Sequence, residues 1–133
     1  MAAWAGDAVT VLVDTSIIID VLRGETAAAA VLRQAREEGP LHASEITRLE
    51  VLAGMRSHEE DATRSLLGIF TWHPFDAPLA EVAGELGRRW LPGNRVIDSA
   101  DLAIAATAVA LGARVVTRNV KHFPMFDGLT APY

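Results

Sequence analysis

The run from Val96 to Asn119, VIDSADLAIAATAVALGARVVTRN, restricts this chain more than any other stretch. Its centre, Leu102 to Leu111, carries no charged side chain over ten residues, so a helix there needs cover on nearly every side. Such a helix belongs inside a layered core. Gly112 supplies a helix stop, and Ala113 to Thr117 reads as a strand delivering Arg118, Asn119 and Lys121 to its carboxyl end. At the other end, Asp98 is placed to cap the helix, and Asp101 follows one turn later, still near the positive end of the helix dipole. With Asp98 already the cap, Asp101 is the acid less needed for structure, and it becomes a functional candidate.

The remainder alternates strand and helix. Val9 to Val13 is a β-branched apolar run suited to a central parallel strand covered on both faces, and it ends in Asp14-Thr15-Ser16. A short helix is expected from Ile17 to about Arg23. A second, from Glu25 to Glu38, puts Ala28, Val31, Leu32 and Ala35 on one face before Gly39-Pro40 closes it. Leu41 to Ala43 reads as the second strand, and Ser44 caps a helix from Glu45 to Met55. On that helix Ile46, Leu49 and Ala53 share the inner side, with Glu50 at its border. His58 to Gly68 forms another helix, and Thr71 to Phe75 is an extended segment whose proline suits an edge strand or a strand end. Asp76 and Pro78 open a helix that turns Leu79, Val82, Ala83 and Leu86 inward and stops near Leu91 to Asn94. The segment Phe123 to Tyr133 is expected to add a last short strand around Leu129. This order predicts an α/β fold, with a parallel sheet between two layers of helices.

A chain of 133 residues fits one domain able to bury roughly two thirds of its unfolded surface, with residues 1–8 as a flexible tail. It contains no cysteine, which suits a reducing compartment, and no apolar run approaches the ~20 residues that span a bilayer. Met1 to Asp7 lacks the basic flank and apolar stretch of a signal peptide, so a cytoplasmic protein is expected. The formal charge of −5 speaks against a nucleic-acid partner only if the acids are evenly spread. Acids gathered around a divalent cation would leave their site far less negative than the total. Eleven of the twelve basic residues are arginine, which suits bidentate phosphate contacts and equally reflects a biased base composition.

Ligands of open α/β sheets collect at the carboxyl edge of the strands. Asp14 ends the first strand there, Glu50 faces inward from the helix after the second, and Asp101 arrives if the loop Pro92 to Arg95 brings it. Three carboxylates meeting in one place repel one another, which implies a bound cation or raised pKa values. An all-oxygen donor set with no cysteine and four scattered histidines favours Mg²⁺ or Mn²⁺ over zinc. Each acid also has a structural reading: Asp14 as the cap of the helix at Ile17, Glu50 as a solvated helix residue. No G-x-G-x-x-G or G-x-x-x-x-G-K-[ST] run is present, and Ser16 stands where phosphatases place a second acid.

Four segments together resemble the PIN-domain ribonucleases, and more narrowly the VapC-type toxins of bacterial toxin–antitoxin pairs. They are Asp14-Thr15-Ser16, the run Ser44 to Gly54, Asp101-Leu-Ala-Ile-Ala-Ala-Thr-Ala108 and Val116-Thr-Arg-Asn-Val-Lys-His-Phe123. The resemblance implies a three-layer α/β/α sandwich with four to five parallel strands, and an endoribonuclease that uses Mg²⁺ or Mn²⁺ to cut RNA. By position Asp14, Glu50 and Asp101 match the metal-binding acids. Asn119 falls where many relatives carry a fourth acid, leaving one charge fewer and keeping open a PIN-like module that binds RNA or protein without cutting. Thr15, Ser16, Thr117 and Arg118 become candidate substrate contacts. Also implied are a VapB-type antitoxin as partner, operator DNA reached only through that antitoxin, and a homodimer involving Trp72 and Trp90. The apolar surface of Ile17 to Leu22, Ala27 to Leu32, Leu52 and Met55 is either the antitoxin's docking site or ordinary core.

Overall fold

Val11, Leu12 and Val13 have no exposed surface at all, as a strand must when its alternate side chains enter two separate cores. The computed structural model describes residues 9–133; the expected tail, residues 1–8, lies outside the described residues. Those three residues form β1 (Val11–Val13). There follow α1 (Thr15–Leu22), α2 (Thr26–Glu38), β2 (Leu41–Ser44) and α3 (Glu45–Ala53). A 3-10 turn (Ser57–Glu59) leads into α4 (Glu60–Leu67) and β3 (Phe70–His73). Then come α5 (Ala77–Trp90), α6 (Ser99–Leu111), β4 (Arg114–Val116) and a last 3-10 turn (Val120–His122). The strands pair in the order β3-β2-β1-β4, all parallel, with Val11 opposite both Leu41 and Arg114. β3 lies at an edge, where the Pro74 signal placed it.

The two faces of the sheet hold different cores. Val11, Val13, Leu41, Ala43, Phe70 and Val116 pack with Ile17, Ile18, Leu32 and Val51 from the α1 to α4 side. Leu12 and Val115 point the other way, onto Ile104, Ala105, Ala108 and Phe123. Seven consecutive residues of α6, Leu102 to Ala108, are buried, because α5 covers the side that the sheet does not. Alanine lets the two helices approach, and Gly87 does so most sharply: a Cβ there would stand 3.2 Å from Leu102 Cδ1. Gly112 ends α6 with φ +61°, a left-handed conformation that glycine adopts without penalty.

Three expectations need correcting. In α3 the buried positions are Thr47 and Val51, whereas Leu49 is 63% exposed and Ala53 is also exposed. A reading keyed to apolar residues rotated the helix, because a threonine occupies the inner stripe with its hydroxyl paired to Thr15. No strand forms around Leu129; Met125, Phe126 and Leu129 pack by their side chains against Phe123 and its neighbours. Pro124 and Pro132 remove two backbone donors from that segment, which disfavours a ladder. The helix expected from His58 opens as a 3-10 turn, and its α-helical part starts at Glu60. Of the early apolar surface, Ile17, Ile18, Ala28 and Leu32 are core. Trp72 packs on the sheet core with its indole N–H on Leu67 O, and Trp90 packs against the α5–α6 cluster.

Candidate active site

Topology brings the site together. Asp14 leaves the end of β1, α3 begins where β2 ends, and Arg118 and Asn119 follow β4, all at the carboxyl edge of a parallel sheet. α6 feeds β4 through a short turn, so it runs antiparallel to that strand and starts at the same edge. That alone carries Asp101 there, with the preceding loop pinned by Asn94 Nδ2 donating to Trp90 O at 2.7 Å and by buried Ile97. A cavity of about 260 Å³ is lined by Asp14, Thr15, Ser16, Glu50, Asp101, Arg118 and Asn119, together with Ile19, Asp98 and His122. Every candidate site residue except Thr117 borders it. Thr117 has no exposed surface and lies behind Asp14.

Asp14 is 4% exposed and its Oδ2 takes three donors: the Ser16 hydroxyl at 2.7 Å, the Thr117 hydroxyl at 2.8 Å and the Ser16 backbone N–H at 3.3 Å. Asp14 therefore caps α1 as well as facing the cleft. The two hydroxyls are themselves oriented by the chain after β4. Arg118 N donates to Ser16 Oγ at 3.1 Å and Asn119 N donates to Thr117 Oγ1 at 3.0 Å. Thr15 Oγ1 donates to Glu50 Oε1 at 2.7 Å, with Thr47 Oγ1 2.9 Å behind it.

Asp101 is more engaged in structure than its position one turn past the cap implied. It forms a reciprocal capping box, in which Asp98 Oδ1 accepts from Asp101 N at 2.8 Å and Asp101 Oδ2 accepts from Asp98 N at 3.0 Å. The same Oδ2 lies 2.9 Å from His122 Nδ1. Burial holds the Asp101 carboxyl above its ordinary range, against the lowering influence of the Asp98 N–H and His122. Asp98 is the cap that the sequence predicted, and it also borders the cleft.

A common pattern links the three acids. Among the described residues, hydrogen bonds reach Asp14 only at Oδ2, Glu50 only at Oε1 and Asp101 only at Oδ2. Each keeps a second oxygen for another ligand, and a set of carboxylate oxygens suits a hard cation such as Mg²⁺ or Mn²⁺. As they stand, no three acid or histidine groups among the described residues are gathered closely enough to enclose one ion. The donor chemistry fits the ion, while the side-chain positions do not by themselves enclose it. His122 is the residue that sequence reasoning missed. A search for metal-ligand spacing saw four scattered histidines, while the usable signal was its place three residues beyond Asn119 at the same edge.

The fold and this acidic cleft define a class. A PIN domain matches residues 11–127, and the chain belongs to the PIN-domain family. Within it, ribonuclease VapC19 of Mycobacterium tuberculosis is 42% identical over 123 residues, covering 92% of this chain and 98% of the relative. Ribonuclease VapC10 of the same organism is 38% identical over 123 residues, covering 92% of each. Among solved structures, a toxin–antitoxin complex from Klebsiella pneumoniae superposes with a TM-score of 0.76 at 31% identity, over 93% of this chain and 98% of that one. VapBC2 from Rickettsia felis, bound to a promoter DNA fragment, gives a TM-score of 0.77 at 21% identity over 92% and 96%, which supports the fold. No helix among the described residues is long and apolar enough to cross a membrane.

Proposed function

We propose that this chain is a divalent-metal-dependent endoribonuclease and the toxin of a toxin–antitoxin pair, held in check by a VapB-type antitoxin. The observation that carries the reading is the cleft in which Asp14, Glu50 and Asp101 each have one oxygen tied and one left for a ligand. Its relatives named ribonuclease VapC supply the substrate class. Asp14, Asp101 and Glu50 would hold Mg²⁺ or Mn²⁺, which when bound lowers the pKa of water and offsets charge on the scissile phosphate.

The chain's own residues do the rest. Thr15 keeps Glu50 turned into the cleft, where its second oxygen either holds the metal through a water or accepts a proton from the attacking water. The Asn119 amide orients that water or a phosphate oxygen, and the Arg118 guanidinium contacts phosphate. Partners follow the same reading: the antitoxin restrains the toxin, operator DNA is reached through the antitoxin, and the toxin pairs as a homodimer in the cytoplasm.

Induced expression with mapping of new RNA 5′ ends tests the proposal, beside cleavage by purified protein with and without a chelator. Wild type should generate discrete new ends, and Asp14→Asn or Asp101→Asn should reduce cleavage by more than about 100-fold, beyond what loss of a merely supporting group costs. Cleavage that persists in chelator, or in both variants, overturns the metal mechanism. RNA bound but never cut by wild type would make the chain a binding module, the reading that Asn119 in place of a fourth acid keeps in view.

A further inference from the structure

We propose that Asp20, steadied by Tyr133, is a positioning residue that aims Arg118 at the phosphate backbone of the RNA; the inference rests on the ribonuclease reading above. Asp20 lies on α1, one residue beyond Ile19, which borders the cleft. Its side chain is 14% exposed, and its Oδ2 lies 3.3 Å from Arg118 Nε. The same oxygen accepts the Tyr133 hydroxyl at 2.6 Å, across 113 residues of sequence. A carboxylate placed only to neutralise a surface arginine needs no second, distant donor.

Arg118 is tied at two points: its backbone N–H donates to Ser16 Oγ, and its Nε lies in an ion pair with Asp20 Oδ2. Among the described residues its guanidinium makes no hydrogen bond, and Nη1 and Nη2, the pair of nitrogens that meets a phosphate bidentately, have no ion-pair partner either. The ion pair draws the guanidinium toward Asp20 from its Nε side and leaves Nη1 and Nη2 for the ligand. Half of the Arg118 side chain remains exposed, so without that hold it would sample many orientations. Tyr133 restrains Asp20 in turn, and burial together with the adjacent Asp20 charge pushes the phenol pKa up, so the hydroxyl stays a donor.

The sign of one variant's effect decides the matter. Removing a negative charge beside the cleft should by itself tighten RNA binding, whereas removing an aiming group should weaken it. Binding is measured by anisotropy, using a fluorescent pool of random single-stranded RNA with metal chelated so that nothing is cut, across a series of salt concentrations. Asp20→Asn should weaken binding about 3- to 10-fold, and Arg118→Ala should lower the salt slope by about 0.7, the share of one phosphate on a single strand. Asp20→Asn combined with Arg118→Ala should bind no worse than Arg118→Ala alone, within about twofold. Tyr133→Phe keeps the ring and loses only the donor; it should shift affinity in the same direction by a smaller factor, and it serves in place of Asp20→Asn should that variant not fold. Unchanged or tighter binding by Asp20→Asn and Tyr133→Phe, or losses that multiply in the double variant, overturns the proposal. Wild type that binds this pool but cleaves no RNA under any metal condition would overturn the ribonuclease reading instead, leaving the binding cycle to stand on its own.

Discussion

Asp14 does two jobs with one carboxylate, and the division runs between its oxygens. Oδ2 closes a short network in which backbone N–H groups after β4 set two hydroxyls, and those hydroxyls set the acid. Thr117 is the member with no exposed surface, so its hydroxyl cannot be replaced by water without rearrangement. Thr117→Val keeps the shape and deletes both the donor to Asp14 and the acceptor for Asn119 N. The expected cost is about 1–3 kcal/mol of stability, from a part-buried N–H and a buried carboxylate each losing a partner, with RNA cleavage falling alongside. Urea denaturation and cleavage rates on the same samples check it, and full activity with unchanged stability would mean that the network does not orient Asp14. Thr63 is a useful contrast: its buried Oγ1 has no partner among the described residues, so the same substitution there carries no such penalty.

At the level of helices and strands, α3 shows what burial asks of a sequence. Val51 is 2% exposed and Leu49 63%, although the larger side chain is the one that a hydrophobic pattern puts inside. Val51→Ala should cost roughly 2 kcal/mol, for two buried carbons and the space they leave. Leu49→Ala should stay within about 0.5 kcal/mol. Chemical denaturation of the two variants ranks them, and the reverse order would restore the helix orientation that the apolar letters imply. Most elements were legible because apolar runs, caps and Gly or Pro stops agreed: Ser44, Asp76 and Asp98 all cap as read. What was not legible depended on pairings between distant residues. Thr47 looks polar until Thr15 is beside it, Asp101 looks spare until it closes the box with Asp98, and His122 looks isolated until α6 delivers Asp101 to it. That the three acids would share one edge was legible, since strand ends and a helix start determine it without any side-chain detail.

Across the whole molecule the sheet has a working edge, and it has a titratable seam elsewhere. His42 on β2 and His73 on β3 place Nδ1 and Nε2 2.8 Å apart with ring centroids at 5.0 Å, a head-on hydrogen bond in which one ring donates and the other accepts. Burial, followed by the neighbouring His73 charge, lowers the His42 pKa from its ordinary 6.5. The fold therefore prefers neutral His42. Well above pH 6.5 the folded and unfolded chains both leave His42 neutral, and its contribution is flat. As pH falls through 6.5 the unfolded chain gains a proton that the folded one resists until lower pH, so stability must decline over that interval. Protonated His42 also presents its Nδ1–H to His73 across two paired strands, of which β3 is the sheet edge. Urea midpoints measured between pH 7.5 and 5.5 should fall for wild type and fall less for His42→Asn, which keeps a polar group at the position without a titrating ring. Parallel declines in the two proteins would assign the acid sensitivity to other groups and remove His42 from it.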